Sequence, residues 1–418
     1  MVSMDDSVEV PNYFICPISL QIMKDPVTTI SGITYERQSI ERWLFTDHNT
    51  TCPLTNQSLP KDSHLTPNHT LRRLIQAWCT LNSLNGFERF PTPRAPLDHS
   101  NALNLLHDLT IPHLQLKTLK LISAFASDSE SNRRCMVRAG LPSSLIHLII
   151  SINLNDYHAV HHESLHVLHS LKVSPDDLKP LVAENHDLIE ALTLVLQHAS
   201  SSSRGNNGDV IITTTTTTTT CLVLKSIFEV ANEKLFERLK VEFFEALISV
   251  LRRGTSQQVT KAVLHVLLES CPWGRNRTKI VDAGAVPVLI ELELTLPEKR
   301  TTELVFGVLD HLCSCADGRA QFLDHAAGVA VVSKRILRVS PGADDRAVRI
   351  LSSVCKYSAT NDVLQEMLRV GAVSKLCFLL QANCSNYVRE RTRWILKVHS
   401  GVWKKSSCIN AYLLTRYP

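Results

Sequence analysis

Four segments of this chain stack on a shared glycine, and that repetition limits the fold more than any other feature. MVRAGLPSSLIHLI, IVDAGAVPVLIELE, FLDHAAGVAVVSKRIL and MLRVGAVSKLCFLL align on Gly140, Gly284, Gly328 and Gly371, and the last three glycines lie 44 and 43 residues apart. Two weaker copies, LVAENHDLIEALTLVL and LKVEFFEALISVLRRG, occupy the interval between the first and second glycines. The glycine is read as a helix-ending position of positive φ, which lets the chain turn sharply into the next helix and which other residues adopt only at a cost. Where a copy replaces it, as at Glu242, a looser turn is expected.

Self-similarity at this period belongs to armadillo or HEAT units rather than to shorter helical repeats. The units resemble the armadillo repeat, a short helix leading into two longer antiparallel ones. No such unit covers its apolar face alone, so stacking builds one elongated core with a long concave surface. With 418 residues, 44% of them hydrophobic, the chain exceeds one ordinary core and reads as multi-domain. The reading is mostly α: a small α+β block, residues 9–83, a linker over 84–98, and an all-α solenoid over 99–405 with a tail at 406–418. The linker, NGFERFPTPRAPLDH, carries three prolines and few large aliphatic residues.

Forty-four basic against 40 acidic residues leave a net charge of +4, which makes no case for a nucleic-acid or membrane partner. The opening MVSMDDSVEVPNYF lacks the basic-then-apolar layout of a signal peptide, and no apolar run is long enough to span a bilayer. Twelve scattered cysteines suit a reducing compartment, so a cytoplasmic protein with nuclear access left open is expected. Inside the array, ASSSSRGNNGDV reads as a disordered insertion over about 199–212. The eight threonines Thr213 to Thr220 that follow should give the next helix a frayed start, because β-branched residues are poor helix formers. A phosphorylation cluster is the alternative reading of that run.

The block from Tyr13 to Trp78 carries the chemistry. CPIS at 16–19 and CPLT at 52–55 each look like a zinc knuckle whose second cysteine has become a hydroxyl. A cross-braced two-zinc module needs four pairs of Cys or His ligands. Stepping at that spacing from Cys16 and Ser19 lands on Ser31, Ile33, Glu36 and Ser39, then on Cys52 and Thr55, while His48, His64 and His69 fall off the register. No metal and no other cofactor is expected. Each structural zinc supplies on the order of 10 kcal/mol of folding free energy. A network through Ser19, Glu36, Arg37, Ser39 and Thr55, at about 1.5–3 kcal/mol for each charge-assisted bond, therefore has to share the task with an apolar core. Ile40, Trp43 and Leu44 share one face of a helix that Thr34 can cap. Leu71, Leu74, Ile75 and Trp78 share a second, with Asn68 as N-cap. Phe14, Leu20, Ile22, Met23, Val27, Ile30, Leu54 and Leu65 are expected to fill the space between.

In FICPISLQIMKDPV, SGITYERQSIERW, CPLT and LTPNHTLRRLIQAW the block resembles a U-box, the metal-free relative of the RING finger. A U-box followed by armadillo repeats is similar to the plant U-box E3 ubiquitin ligases, and the C-terminal repeats resemble the subgroup associated with stress and immune signalling. The resemblance implies an E3 of the RING type, which recruits a ubiquitin-charged E2 and favours direct transfer to a substrate lysine with no covalent intermediate on this chain. It assigns E2 docking to Ile18, Trp43 and Pro53. Asn56 stands where many such ligases carry an arginine that contacts both E2 and ubiquitin; its amide is shorter and uncharged, which implies weaker or more E2-selective stimulation. Cys16, between Ile15 and Pro17, lacks the basic neighbours of a nucleophile and is read as a packing residue.

On the residues alone, Ile18, Trp43 and Pro53 read as core and turn positions, because aromatic residues on an amphipathic helix are usually buried, and only the resemblance reverses that. A non-catalytic adaptor with a degenerate U-box is the competing function, although a decayed domain has no need of an apolar docking trio. A nuclear-import-like peptide carrier would need ladders of Asn and Trp, and Trp273, Trp394 and Trp403 are not at repeat spacing. A protein substrate is expected on the armadillo groove; its identity and the oligomeric state do not follow from the sequence. The basic run RERTRWILKVHSGVWKK reads as a solvated helix face or as a surface for an acidic partner.

Overall fold

The computed structural model describes residues 9–47, 49–59, 65–83, 97–151, 159–201, 207–295 and 298–404. Contacts divide the chain into two compact units, residues 1–148 with 154–173, and 149–153 with 174–418. His48, His64, the core of the linker and the C-terminal tail lie outside the described residues.

The first unit opens with a three-stranded antiparallel sheet, β1 (Pro26–Thr28), β2 (Thr34–Glu36) and β3 (Thr66–Pro67), in the order β2-β1-β3. Val27 pairs with Tyr35 on one side and with Pro67 on the other. The sheet leads into α1 (Arg37–Glu41), which continues as a π-helical turn over Arg42–Thr46; α2 spans His69–Leu81. Ile40 and Leu44 are buried as their spacing requires, together with Phe14, Met23, Val27, Tyr35 and Ile75. The Asn68 carboxamide caps α2 by accepting from the Leu71 N–H at 3.0 Å.

The expected places of five residues need correction here. Thr34 does not cap α1: it sits in β2, its hydroxyl 2.9 Å from that of Thr28, and Glu36 occupies the N-cap position. Leu74 is exposed on α2, and Cys79 takes an inward place instead. Leu20, Ile30 and Leu54 lie on the surface, at 76%, 62% and 61% exposure, in the turns that follow Cys16, Thr28 and Cys52. Three leucine and isoleucine side chains outside a domain this small call for a reason beyond folding.

Helices α3 (His99–Leu109), α4 (Gln115–Asp128) and α5 (Glu130–Arg138) complete the contact with this block. Glu41 of α1, almost wholly buried, accepts the Glu130 N–H at the start of α5 at 2.9 Å, where an anion meets both unpaired amides and the positive end of the helix. Arg134 stacks over the Phe45 ring at 4.3 Å.

The second unit is a stack of three-helix repeats. Their third helices, Asn207–Val230, Gln257–Ser270, Lys299–Leu312, Pro341–Tyr357 and Asn386–Val398, pack each on the next, and their second helices do likewise. A ladder of side chains ties neighbouring repeats: Asn276 donates to the Phe236 carbonyl at 2.9 Å, Gln321 to Val281 at 3.2 Å and Ser353 to Cys313 at 2.7 Å, each spanning 40 residues. Gly284 and Gly371, like Gly140 in the first unit, have the expected positive φ, at 76°, 74° and 91°. Gly328 does not. It is the first residue of a helix, and a Cβ there would stand 2.1 Å from the Phe322 carbonyl oxygen, so close approach rather than backbone hand demands glycine. The copy with Glu242 turns through Leu239 and Lys240, both extended in backbone, before the helix Val241–Arg252.

The threonine run also departs from expectation. Residues 207–230 form one continuous helix that includes 207–212, which the sequence reads as insertion; of that insertion, 202–206 lie outside the described residues. Thr215 to Thr220 each donate a hydroxyl hydrogen bond to the carbonyl four residues earlier. Back-bonding satisfies these hydroxyls within the helix and lets Thr216, Thr217, Thr219 and Thr220 be buried, which offsets their low propensity.

Candidate functional site: two matched loops on one strand

The CPIS and CPLT stretches prove to be parts of longer matched hexapeptides, CPISLQ and CPLTNQ. The Cys16 N–H donates to the Gln21 carbonyl at 2.8 Å and Leu20 N–H to Cys16 at 2.9 Å. The same pair recurs from Cys52 to Gln57 and from Asn56 to Cys52, at 2.8 and 2.9 Å. The fifth residue of each loop turns left-handed, Leu20 at φ 55° and Asn56 at φ 56°. Asparagine tolerates that conformation and leucine does so only under strain, so an exposed Leu20 is unfavourable to the fold on two counts.

The two cysteine sulfurs anchor the loops to consecutive residues of β2. Cys16 Sγ accepts the Glu36 N–H at 3.2 Å, and Cys52 Sγ lies 2.9 Å from the Tyr35 hydroxyl and accepts from Ser31 Oγ at 3.2 Å. Both sulfurs are fully buried. Burial opposes ionisation of Cys52, but hydroxyls of Ser31, Thr55 and Tyr35 donating to sulfur outweigh it and hold the thiol down to about 6. Burial first, then the bond to Cys52, pushes the Tyr35 phenol up. A thiol this acidic is chemically a nucleophile, yet its lack of exposure removes it from any partner. The hydroxyls converge on sulfur where a zinc finger would place a cation. With Ser19, Ser31, Ile33, Glu36, Ser39 and Thr55 at the other positions, the residues present do not fit a pair of zinc sites.

Carboxylates complete the frame. Glu36 accepts the Lys24 and Asp25 N–H groups at 2.6 and 3.1 Å, and Arg37 meets Asp25 at 2.5 Å and Glu41 at 3.8 Å. Burial raises the pKa of Glu36 and of Glu41, against the opposing pull of these donors and of Arg37. Of the network read from sequence, Glu36, Arg37 and Thr55 take part. Ser19 is exposed and Ser39 lies half-buried on α1; among the described residues neither hydroxyl makes a hydrogen bond. Asp25 and Tyr35 were missed. Tyr35 had a signal in its place one residue before Glu36, on the side of β2 that faces the core.

Ile18 and Trp43 are half-buried, each packed by one side on the core, and Pro53 is half-buried at the second loop. The Trp43 indole N–H donates to the Thr51 carbonyl at 2.8 Å, which ties the helix to the loop that carries Pro53. Core packing and partial exposure thus coexist in the same side chains. Leu20 and Leu54, which the sequence reading sends inward, add exposed apolar surface on the same two loops.

Residues 10–83 match the U-box domain family, and residues 101–418 match the plant U-box protein ARM repeat region. The chain belongs to the plant U-box proteins with armadillo repeats. It is 44% identical to the E3 ubiquitin-protein ligase PUB23 of Arabidopsis thaliana over 99% of this chain and 98% of that one. The E3 ubiquitin-protein ligase PUB22 of the same plant is 40% identical over 99% and 100%. As an enzyme, this U-box protein is of the E3 ubiquitin-protein ligase class. A β-catenin structure, solved in work on its phosphorylation-controlled interaction with cadherin, superposes with a TM-score of 0.55 over 79% of this chain and 61% of that one. At 13% identity that likeness concerns the fold alone. Among the described residues no helix is long and apolar enough to cross a membrane.

Proposed function

We propose that the U-box recruits a ubiquitin-charged E2 through Ile18, Trp43 and Pro53, with Asn56 at the rim, and stimulates direct transfer from the E2 cysteine to a lysine of a substrate held by the armadillo repeats, or of the ligase itself. The observation that carries this reading is the pair of matched loops anchored to Tyr35 and Glu36, with Trp43 tied to the second. An apolar surface on a rigid frame loses little entropy on docking. Burial of the only two U-box sulfurs in these loops accords with an E3 that carries no ubiquitin thioester. Asn56 keeps the left-handed turn that closes the second loop, and its uncharged amide gives the E2 conjugate weaker support than an arginine would. On this reading the protein works in the plant cytoplasm, in stress or immune signalling, as the resemblance of its C-terminal repeats implies.

Reconstitution with ubiquitin-activating enzyme, a panel of E2s, ubiquitin and ATP tests the site. Wild type builds ubiquitin chains and modifies itself, whereas Ile18→Ala and Trp43→Ala lose at least about tenfold in rate, the effect of removing about 1.4 kcal/mol or more of binding. Unchanged rates in both variants would refute the site. Absence of chains with every E2 would favour a non-catalytic adaptor.

A further inference from the structure

The last three repeats carry a groove of about 590 Å³ between their third helices. Three aromatic side chains line it while remaining in solvent, Tyr357 at 60%, Tyr387 at 51% and Trp394 at 37% exposure. Cations lie directly on the rings: Arg319 and Lys356 stand 4.7 and 4.9 Å over Tyr357, and Arg391 stands 4.7 Å over Tyr387. Cation stacking orients these aromatics without burying them.

The charge is unbalanced. The groove's nearly buried carboxylate, Asp310, meets both Arg346 and Arg349 at 2.8 Å, and Asp345 is a second acid near Arg349, so these four charges balance. Glu390 is paired with Arg393 at 2.5 Å and cancels nothing else. Lys356 and Arg391 add two positive charges, and Arg277 reaches the rim through Ser314 at 2.7 Å. In a chain whose net charge is only +4, this is a local concentration of positive charge. The basic run at the C-terminal end of the sequence therefore has two faces: Arg391 and Trp394 line the groove, while Thr392 and Ile395 are buried.

We propose that this groove is a docking site for an extended peptide rich in aspartate and glutamate and interspersed with apolar or aromatic residues. The proposal rests on the reading of the armadillo repeats as the substrate-binding part and states the chemical class that they take. Three helices at 8–10 Å separations span about 20 Å, the length of about six extended residues. Carboxylates meet Arg349, Lys356 and Arg391, and alternate side chains lie against Trp394 and against the parts of Tyr357 and Tyr387 that the cations leave exposed. A nucleic acid is the competing occupant: with Asp310 and Glu390 in the lining, an unbroken run of phosphates fits less well than carboxylates spaced by apolar residues.

Fluorescence anisotropy with the full chain decides the question. The probes are a labelled Glu/Phe peptide, its Gln/Phe and Lys/Phe counterparts, and a single-stranded oligothymidine. The Glu/Phe peptide should bind with an affinity that falls as salt rises, and the other probes should bind about tenfold more weakly or worse. The double variant Lys356→Glu/Arg391→Glu should weaken it at least about tenfold and Tyr387→Ala several-fold, with unchanged helical melting, while Lys120→Glu has no effect. Equal binding of the Gln/Phe peptide, tighter binding of oligothymidine, full retention in the double variant, or no binding of the Glu/Phe peptide would each overturn the proposal. Ubiquitin-chain synthesis, measured in the same variants without substrate, separates the two readings. Its presence alongside absent peptide binding removes only the groove assignment, and its absence alongside peptide binding removes only the ligase mechanism.

Discussion

The U-box and the repeat array solve the same problem, holding short helices and turns in place, by opposite means. The array relies on quantity: fully buried leucine, valine, isoleucine and phenylalanine continue from repeat to repeat, and the ladder at 40-residue spacing adds a hydrogen bond between units. Each repeat can lose one contact because its neighbours supply many more. The U-box has a small core and two loops with no regular structure, so a few polar contacts carry the loop shape: two sulfurs on β2, a glutamate on two amides, and an arginine between two carboxylates. A repeated unit distributes its stability, whereas a loop frame concentrates it in named atoms.

The largest expected effect tests that concentration. Cys52→Ala removes the acceptor of the buried Tyr35 hydroxyl, while the half-buried Ser31 hydroxyl keeps its contact with that of Thr29 at 2.8 Å. At about 1–3 kcal/mol for the unsatisfied phenol, with about 1–2 kcal/mol more for the lost packing of the buried sulfur, the U-box loses roughly 2–5 kcal/mol. Hydrogen exchange should rise throughout 13–59 and chain synthesis should fail, while exchange in the array stays as in wild type. Equal loosening of both regions would break the contrast. The same cysteine gives it a pH signature. Folding lowers this thiol from 9.0 to about 6, so the folded form binds the proton less readily than the unfolded one. Its contribution is complete above pH 9 and is lost as pH falls through 6. U-box protection should therefore climb between those values in wild type, and Cys52→Ala should flatten that rise.

Next come the two kinds of array glycine. Gly328→Ala forces a Cβ onto the Phe322 carbonyl and should cost about 3 kcal/mol, the upper end of overpacking. Gly371→Ala meets no atom within 4 Å and pays only for its left-handed backbone, about 1–2 kcal/mol. Thermal denaturation should rank Gly328→Ala below Gly371→Ala, both affecting the array alone; the reverse order would mean that backbone hand governs at both sites. The smallest effect is expected at Thr215→Ala, an exposed helical position, where better propensity should stabilise by about 0.5 kcal/mol.

Much of the architecture was legible before any coordinates. Glycine spacing set the repeat period, because a solenoid reuses one turn at fixed intervals. The pairs Cys16 with Ser19 and Cys52 with Thr55 marked the loops, because a lost metal site keeps its spacing. Asn68 announced a helix start. The failures share a cause. Leu20, Ile30, Leu54 and Leu74 were sent inward on hydrophobicity, yet a tight loop or one turn of helix decides direction through backbone geometry that composition does not carry. Thr34 and the threonine run were judged by local preference, and pairing with β1 in one case and burial with back-bonding in the other overrode it.

By itself, then, the sequence determined that a two-loop block without a full set of zinc ligands precedes a helical solenoid, since both follow from covalent order and periodic apolar positions. Only the tertiary structure decided which atoms hold the two cysteine sulfurs, why Gly328 must be glycine, and that Tyr357, Tyr387, Lys356 and Arg391 line one groove. Those residues lie on different helices of different repeats. Their meeting depends on how successive helices pack, and no local stretch of chain contains that information.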